Sequence, residues 1–358
     1  MRMLHIVIPV LGLFCLACEK YEDDQSEGQQ GQPPDVGRET IKPPTPFRFP
    51  TANRHLLTEG GETNFFARTT LQRPWQSGSF GCVRNSRTRL HEGIDILWQE
   101  QDEQGESTDP VFVSRDGTVA YINNNSAASN YGKYVVVRHK LEGLPVYTLY
   151  AHLRSVEDAL KEGESIKAGD SIGILGRTTN TSDGISKWRA HLHFEIGLQI
   201  NSRFDRWFKR WYTSGKNLHG PWNGLNLLGM DAAEILKHSE AGTLDIHGFI
   251  QAQPVLATVR VHQSKLDWVD RFPDLVDSDI SAEDPVVAWE LDLSFSGIPI
   301  RAVPITDKEK VSGAKYRLLD VDETVRAAHP CSGLVFRKGQ QWVFTSRGQR
   351  LMDLLIFR

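Results

Sequence analysis

Three short strings hold the side chains best placed to do chemistry: His91-Glu92-Gly93-Ile94-Asp95, Tyr150-Ala151-His152-Leu153 and His191-Leu192-His193-Phe194-Glu195. In the last, strand alternation sends Leu192, Phe194 and Ile196 to one face and His191, His193 and Glu195 to the other. His91 and Asp95 share a parity, so a strand through this string places both on one side, with Gly93 leaving room between them. Imidazole and carboxylate bind zinc well, and a catalytic zinc site takes three protein ligands and keeps a position open for water. His91, Asp95 and one histidine of the His191/His193 pair make that set. The other histidine then stands beside the metal without binding it, and His152 is a further candidate for the same face. Each string alone is weak, because twelve histidines in 358 residues produce an occasional spacing of this kind by chance. Their ordered occurrence, each histidine on the polar side of an apolar alternation, is far more specific.

The elements that must position these groups read as short strands. From Phe65 to about Ile196, β-type runs such as GTVAYI, YVVVRH, VYTLYAHL and SIGILG alternate with glycine-bearing turns, the pattern of an antiparallel β domain. Residues 201–239 differ, with SRFDRWFKRWY and DAAEILKHSE at helical spacing. Trp207, Phe208 and Trp211 are expected as a core-facing stripe, with a membrane-surface role as the alternative. From about Gly242 onward the runs VLATVRVHQ, VVAWELDLSF, GLVFRKG and QWVFTS point to a second, smaller β-rich domain. His247, His262 and His329 are scattered there and read as ordinary histidines. The expected fold class is mainly β, an antiparallel groove with a short helical segment. The expected division is a signal over 1–17, a disordered tether over 18–50, a catalytic domain over 51–200, a helical extension over 201–241 and the C-terminal domain over 242–358.

On these strings the segment from about Phe80 to Gly197 resembles the lysostaphin-like (LytM-type) zinc endopeptidases, bacterial enzymes with an antiparallel β groove that cut cell-wall peptides. The resemblance implies one Zn2+ per chain, held by His91, Asp95 and His193, with His191 and His152 as the catalytic pair. Glu195 shares the polar parity and is expected behind a ligand or at the rim. Lys133, Arg189-Ala190 and the acidic loop Gln99–Asp109 depart from the family's usual sequence and are expected to line or flank the groove. The implied function is a zinc endopeptidase that hydrolyses peptide bonds of peptidoglycan. Two other readings remain: a non-catalytic wall-binding or hydrolase-activating module on the same fold, and a zinc endopeptidase acting on an envelope protein.

The rest of the chain sets the location. Met1 to Ala17 carries Arg2 and an apolar run too short for the roughly 20 residues that span a bilayer, the form of an export signal. Cys15-Leu16-Ala17-Cys18 resembles the bacterial lipobox, which implies a lipid on Cys18 and a membrane-anchored envelope protein, on the periplasmic side in a Gram-negative cell. The following glutamine- and proline-rich stretch has too few apolar residues to form a core. Extended at about 3.3 Å per residue, it reaches about 100 Å. Once Cys15 leaves with the signal, Cys82 and Cys331 are the remaining thiols, and outside the cytoplasm they either pair or stay separately buried. A net charge of -4 provides no basic footprint for nucleic acid. With 39% hydrophobic residues and nine tryptophans there is ample material for a core.

Overall fold

The runs rich in valine, isoleucine and aromatics form strands because branched and ring side chains pack well on a pleated surface. The computed structural model describes residues 47–277, 285–311 and 313–358. The expected signal, Cys18 and most of the expected tether lie outside the described residues. In chain order the first strands are β1 (Gly81–Arg84), β2 (Arg89–His91), β3 (Ile94–Leu97), β4 (Pro110–Phe112), β5 (Gly117–Asn123) and β6 (Tyr134–Leu141). They continue with β7 (Leu144–Ala151), β8 (Ser155–Val156), β9 (Ser165–Ile166), β10 (Ser171–Ile174), β11 (His191–Gln199) and β12 (Leu227–Met230).

The main sheet has the order β12-β11-β7-β6-β5-β9, and its pairs are antiparallel. β3 lies along the same edge of β11 as β12 does, so the two follow one another down that edge. Period-two alternation sorts the side chains. Leu192, Phe194, Ile196 and Leu198 of β11 enter the main core together with Val135 and Val137 of β6. Tyr134 and Val136 face a second cluster with Tyr147, Leu149 and Trp222. Each such aliphatic side chain contributes about 1.5–3 kcal/mol on burial. Both faces of β11 are covered, so the polar face is buried as well as the apolar one.

A second antiparallel sheet follows, in the order β15-β14-β13-β16, from β13 (Val255–Val261), β14 (Ala288–Ser294), β15 (Pro299–Ile305) and β16 (Tyr316–Val321). Its Leu256, Val259, Leu291 and Ile300 belong to the same continuous core as Phe194 and Ile196. The helices Phe204–Trp211 and Ala232–Glu240 fall within the stretch expected to be helical. Trp207 and Phe208 are buried on the core, whereas Trp211 is 45% exposed. Asp231 caps the second helix by accepting from the Ala233 and Glu234 amides. Cys82 and Cys331 form a disulfide across 249 residues of chain. Among the described residues, no helix is long and apolar enough to cross a membrane.

The packed chain starts earlier than the expected tether boundary at residue 50. Phe47 and Phe49 are buried in the main core, Phe47 edge-on to His139 and Phe49 edge-on to Phe65. Two aromatic rings in a proline-rich string find a groove that composition does not reveal.

Candidate metal centre

Antiparallel pairing does most of the positioning. Asp95 of β3 lies directly opposite His193 of β11, and opposed residues project from the same face of a sheet. On the other edge of β11, Ala151 of β7 is opposite His193, so His152 stands one residue beyond that pair. His91 differs from expectation. It does not share a strand with Asp95, because Glu92 and Gly93 interrupt the pairing. It ends β2, which pairs with β1. A Cβ on Gly93 would stand 2.4 Å from the Phe194 carbonyl oxygen and 2.8 Å from the Glu195 side chain. The bend therefore presses the backbone onto β11 and brings His91 over the sheet from a separate ribbon.

The donor atoms converge tightly. His91 Nε2, Asp95 Oδ1 and His193 Nδ1 are each 3.1 Å from the other two. Zinc bonds of about 2.0–2.1 Å at tetrahedral angles hold neighbouring donors about 3.3 Å apart, so the triangle fits that ion with little adjustment. The far nitrogen of each ring is held. His91 Nδ1 donates to the Ser79 carbonyl at 2.7 Å, and His193 Nε2 donates to Glu195 Oε1 at 2.9 Å. This leaves His91 Nε2 and His193 Nδ1 to face the centre, as metal-binding histidines require. A guanidinium nitrogen, Arg84 Nη2, lies against Asp95 Oδ2 and 3.0 Å from His91 Nε2. The donors thus already face a cation.

Glu195 is fully buried and is the anchor of a polar cluster. Besides His193 it accepts from the hydroxyls of Tyr131 and Tyr147, both at 2.7 Å. Strand parity pointed to Glu195. Nothing in the sequence pointed to Tyr131, which comes from the turn before β6, or to Arg84, which approaches through the hairpin.

Burial sets most of the electrostatics. It lowers His91 and His152 to about 4 and His191 well below its usual value, leaving three neutral imidazoles. Burial would also raise Asp95, but the Arg84 guanidinium and the hydrogen bond from His193 outweigh it and hold the carboxyl well below the usual range. For His193 burial pulls downward, and hydrogen bonds to Asp95 and Glu195 outweigh it, lifting the ring to about 9.

His191 and His152 are oriented alike. Their Nδ1 atoms donate to the carbonyls of Arg189, at 2.7 Å, and Thr178, at 2.8 Å. Each Nε2 is then an acceptor, and that of His191 lies 3.4 Å from Asp95 Oδ2. The rings are edge to face at 4.8 Å. His152 has a φ of +63°, a left-handed conformation that costs a non-glycine residue about 1–2 kcal/mol. Its amide is held by the Tyr131 carbonyl at 2.8 Å. A groove of ≈ 930 Å³ is lined by His91, Asp95, His152, His191 and His193 together, and also by Arg189. Lys133 and the Gln99–Asp109 loop are not among its lining residues. His247, His262 and His329 lie elsewhere: beside Glu142 and Asp274, on the Ala314 carbonyl, and stacked on Phe295.

Residues 89–204 match the model of peptidase family M23. No curated protein matches the chain. Among solved structures, Helicobacter pylori Csd3 is 23% identical with a TM-score of 0.25, over 43% of this chain and 32% of that one. A zinc containing peptidase from Vibrio cholerae is 24% identical with a TM-score of 0.25, over 38% of this chain and 37% of that one. The catalytic domain of the antimicrobial peptidase lysostaphin from Staphylococcus simulans is 19% identical with a TM-score of 0.27, over 45% of this chain and 87% of that domain. The chain spans about a third of the length of the first two. The segment that matches peptidase family M23 runs from β2 to the start of the helix Phe204–Trp211 and contains all five converging side chains.

Proposed function

We propose that this chain is a zinc endopeptidase that cuts peptide bonds of cell-wall peptidoglycan, with one Zn2+ held by His91, Asp95 and His193. The observation that carries the reading is the triangle of donor atoms 3.1 Å apart, with the far nitrogen of each histidine pinned. Zinc held there supplies Lewis acidity, enough to bring the pKa of a water to about 7 and to draw on the scissile carbonyl.

The protein's own groups do the rest. His191 Nε2 is unprotonated at neutral pH and accepts the proton of the attacking water, because its Nδ1 is committed to the Arg189 carbonyl. It returns that proton to the leaving amine. His152 presents Nε2 to the same groove and hydrogen-bonds the water or, once protonated, the developing oxyanion. Glu195 keeps His193 in the binding orientation from a position out of reach of substrate.

The location is part of the proposal: an exported envelope protein, attached to a membrane through a lipid on Cys18. The short apolar signal and the polar stretch after it support this. Purified full-length protein incubated with peptidoglycan, with released fragments identified by mass, tests the function. One zinc per chain and zinc-dependent release of peptide fragments are expected. A chain that binds no zinc and releases nothing when zinc is supplied overturns the reading in favour of a non-catalytic wall-binding module. Zinc binding with cleavage of envelope proteins alone moves the substrate.

A further inference from the structure

Two guanidiniums crowd a single carboxylate in the groove. Asp95 Oδ2 is approached by two guanidiniums, Arg84 Nη2 in contact and Arg189 Nη2 at 3.8 Å. Their side chains are only 14% and 19% exposed. Arg189 is aimed, because its Nε donates to the Arg68 carbonyl at 3.0 Å and turns the Nη edge toward Asp95. Arg89 lines the same groove at an exposed position. Besides Asp95, the acids that line it are Glu92, which also borders a pocket lined by Arg347 and Arg350, and the exposed Asp183. A divalent cation held by His91, Asp95 and His193 would draw on the same Asp95 charge. At Asp95 itself, two guanidiniums and that cation would then share one carboxylate. A hydroxide from water supplies one negative charge.

We propose that Arg189 and Arg84 form a subsite for a carboxylate of the substrate, so that the bond cut lies beside a residue with a free carboxylate. The inference rests on the peptidase reading and narrows its substrate. A guanidinium presents a planar fork of donors that matches a carboxylate two bonds at a time. Arg189 stands within 4 Å of Asp95, and an extended chain advances about 3.3–3.6 Å per residue. The carboxylate therefore belongs to a residue within about two of the scissile bond, either on its side chain or at the chain end. A neutral peptide would leave two largely buried guanidiniums to share one carboxylate with the metal.

The test uses a cross-linked stem-peptide dimer prepared in two forms, with the carboxylate next to the cleaved bond free or converted to a carboxamide. Binding to full-length zinc-loaded His191→Ala is measured by calorimetry, and cleavage by the wild type is followed separately. The free acid is expected to bind roughly 2- to 30-fold more tightly, the scale of a charge-assisted hydrogen bond against a neutral one. In wild-type turnover the same preference should appear in kcat/KM. Arg189→Gln should weaken the acid to the level of the amide and leave the amide unchanged, with Arg189→Lys between. Equal affinity for the two forms overturns the subsite even if both are cleaved. So does an Arg189→Gln variant that weakens both forms equally while losing zinc, which assigns Arg189 to bracing Asp95. Preferential binding of the acid with no cleavage of either form leaves the subsite standing and refutes the peptidase reading instead.

Discussion

Replacing Glu195 by glutamine should weaken zinc binding in a way that depends on pH, and the structure sets both the size and the sign. Glu195→Gln keeps the shape of a fully buried side chain. Its carbonyl can still accept from His193 Nε2 and the Tyr131 hydroxyl, and its amide can donate to the Tyr147 oxygen, so the network survives and the charge is lost. A hydrogen bond to a charged group contributes about 1.5–3 kcal/mol against about 1 for a neutral one. The difference corresponds to roughly 2- to 30-fold in affinity, within the roughly 10- to 100-fold seen when the outer partner of a metal-binding histidine is removed. A second effect opposes it. Without metal, His193 holds a proton up to about pH 9 because of Asp95 and Glu195, so at pH 7 that proton competes with the metal by about 100-fold. The glutamine variant releases the proton more readily and recovers part of this factor.

Zinc affinity measured against a competing chelator from pH 6.5 to 9.5 separates the two effects. Wild-type affinity should rise about tenfold per pH unit and flatten near pH 9, with about one proton released per zinc at pH 7. The variant should flatten at lower pH, nearly meet the wild type near pH 7 and fall about tenfold below it above pH 9. The sign for folding follows from the same shift. A ring raised from 6.5 to about 9 stabilises the metal-free fold fully below pH 6.5, and that contribution is lost as pH rises through about 9. Identical slopes and breaks for the two proteins would refute the assignment of the His193 proton to the Glu195 carboxylate.

Three further outcomes are expected. His193→Ala should lose zinc and activity together, whereas His191→Ala should keep its zinc, lose about 10²- to 10⁴-fold in rate and not recover at higher zinc; metal content and turnover on one peptide decide, and the opposite pattern reverses the two roles. Cys331→Ser, which opens the link to Cys82, should cost about 2–4 kcal/mol and lower the melting temperature; a reduced wild type that melts with the oxidised one contradicts this. Cys18→Ser should leave the protein unlipidated in the aqueous phase, and an unchanged amino-terminal mass and partitioning would remove the anchor.

Much of the site was legible because strand parity is a local property. The alternation in HLHFEI sorts three polar groups from three apolar ones, and β11 keeps that sorting in its core contacts. Parity failed at HEGIDI for a tertiary reason. Gly93 sits against the Phe194 carbonyl, a contact between residues about a hundred positions apart, so the chain bends where a strand was expected to continue. Arg84 was silent for a related reason: seven residues before His91 is no metal-site spacing, and only the turn of a hairpin brings its guanidinium back over Asp95. Composition misjudged Phe47 and Phe49, because prolines dominate KPPTPFRFP while its two rings have a core to enter. The cysteine pair was left open, and nothing short of the fold could close it.

The hairpin β1–β2 shows why the C-terminal region bears on the metal centre. A two-stranded ribbon is marginal by itself, and this one carries a costly turn, with φ of 48°, 56° and 71° at Asn85, Ser86 and Arg87, none of them glycine. Yet it must hold both His91 and Arg84 to within hydrogen-bond tolerance of Asp95. The support comes from residues 328–331. Arg87 donates to the Ala328 carbonyl at 2.7 Å, and Cys331 is bonded to Cys82 at the other end of β1. The ribbon is thus fixed at its turn and near its base by one short segment, which enters the continuous core at Cys331 and is followed there by Leu334 and Val335. Movement of that segment would be transmitted first to His91, the ligand that the main sheet does not hold.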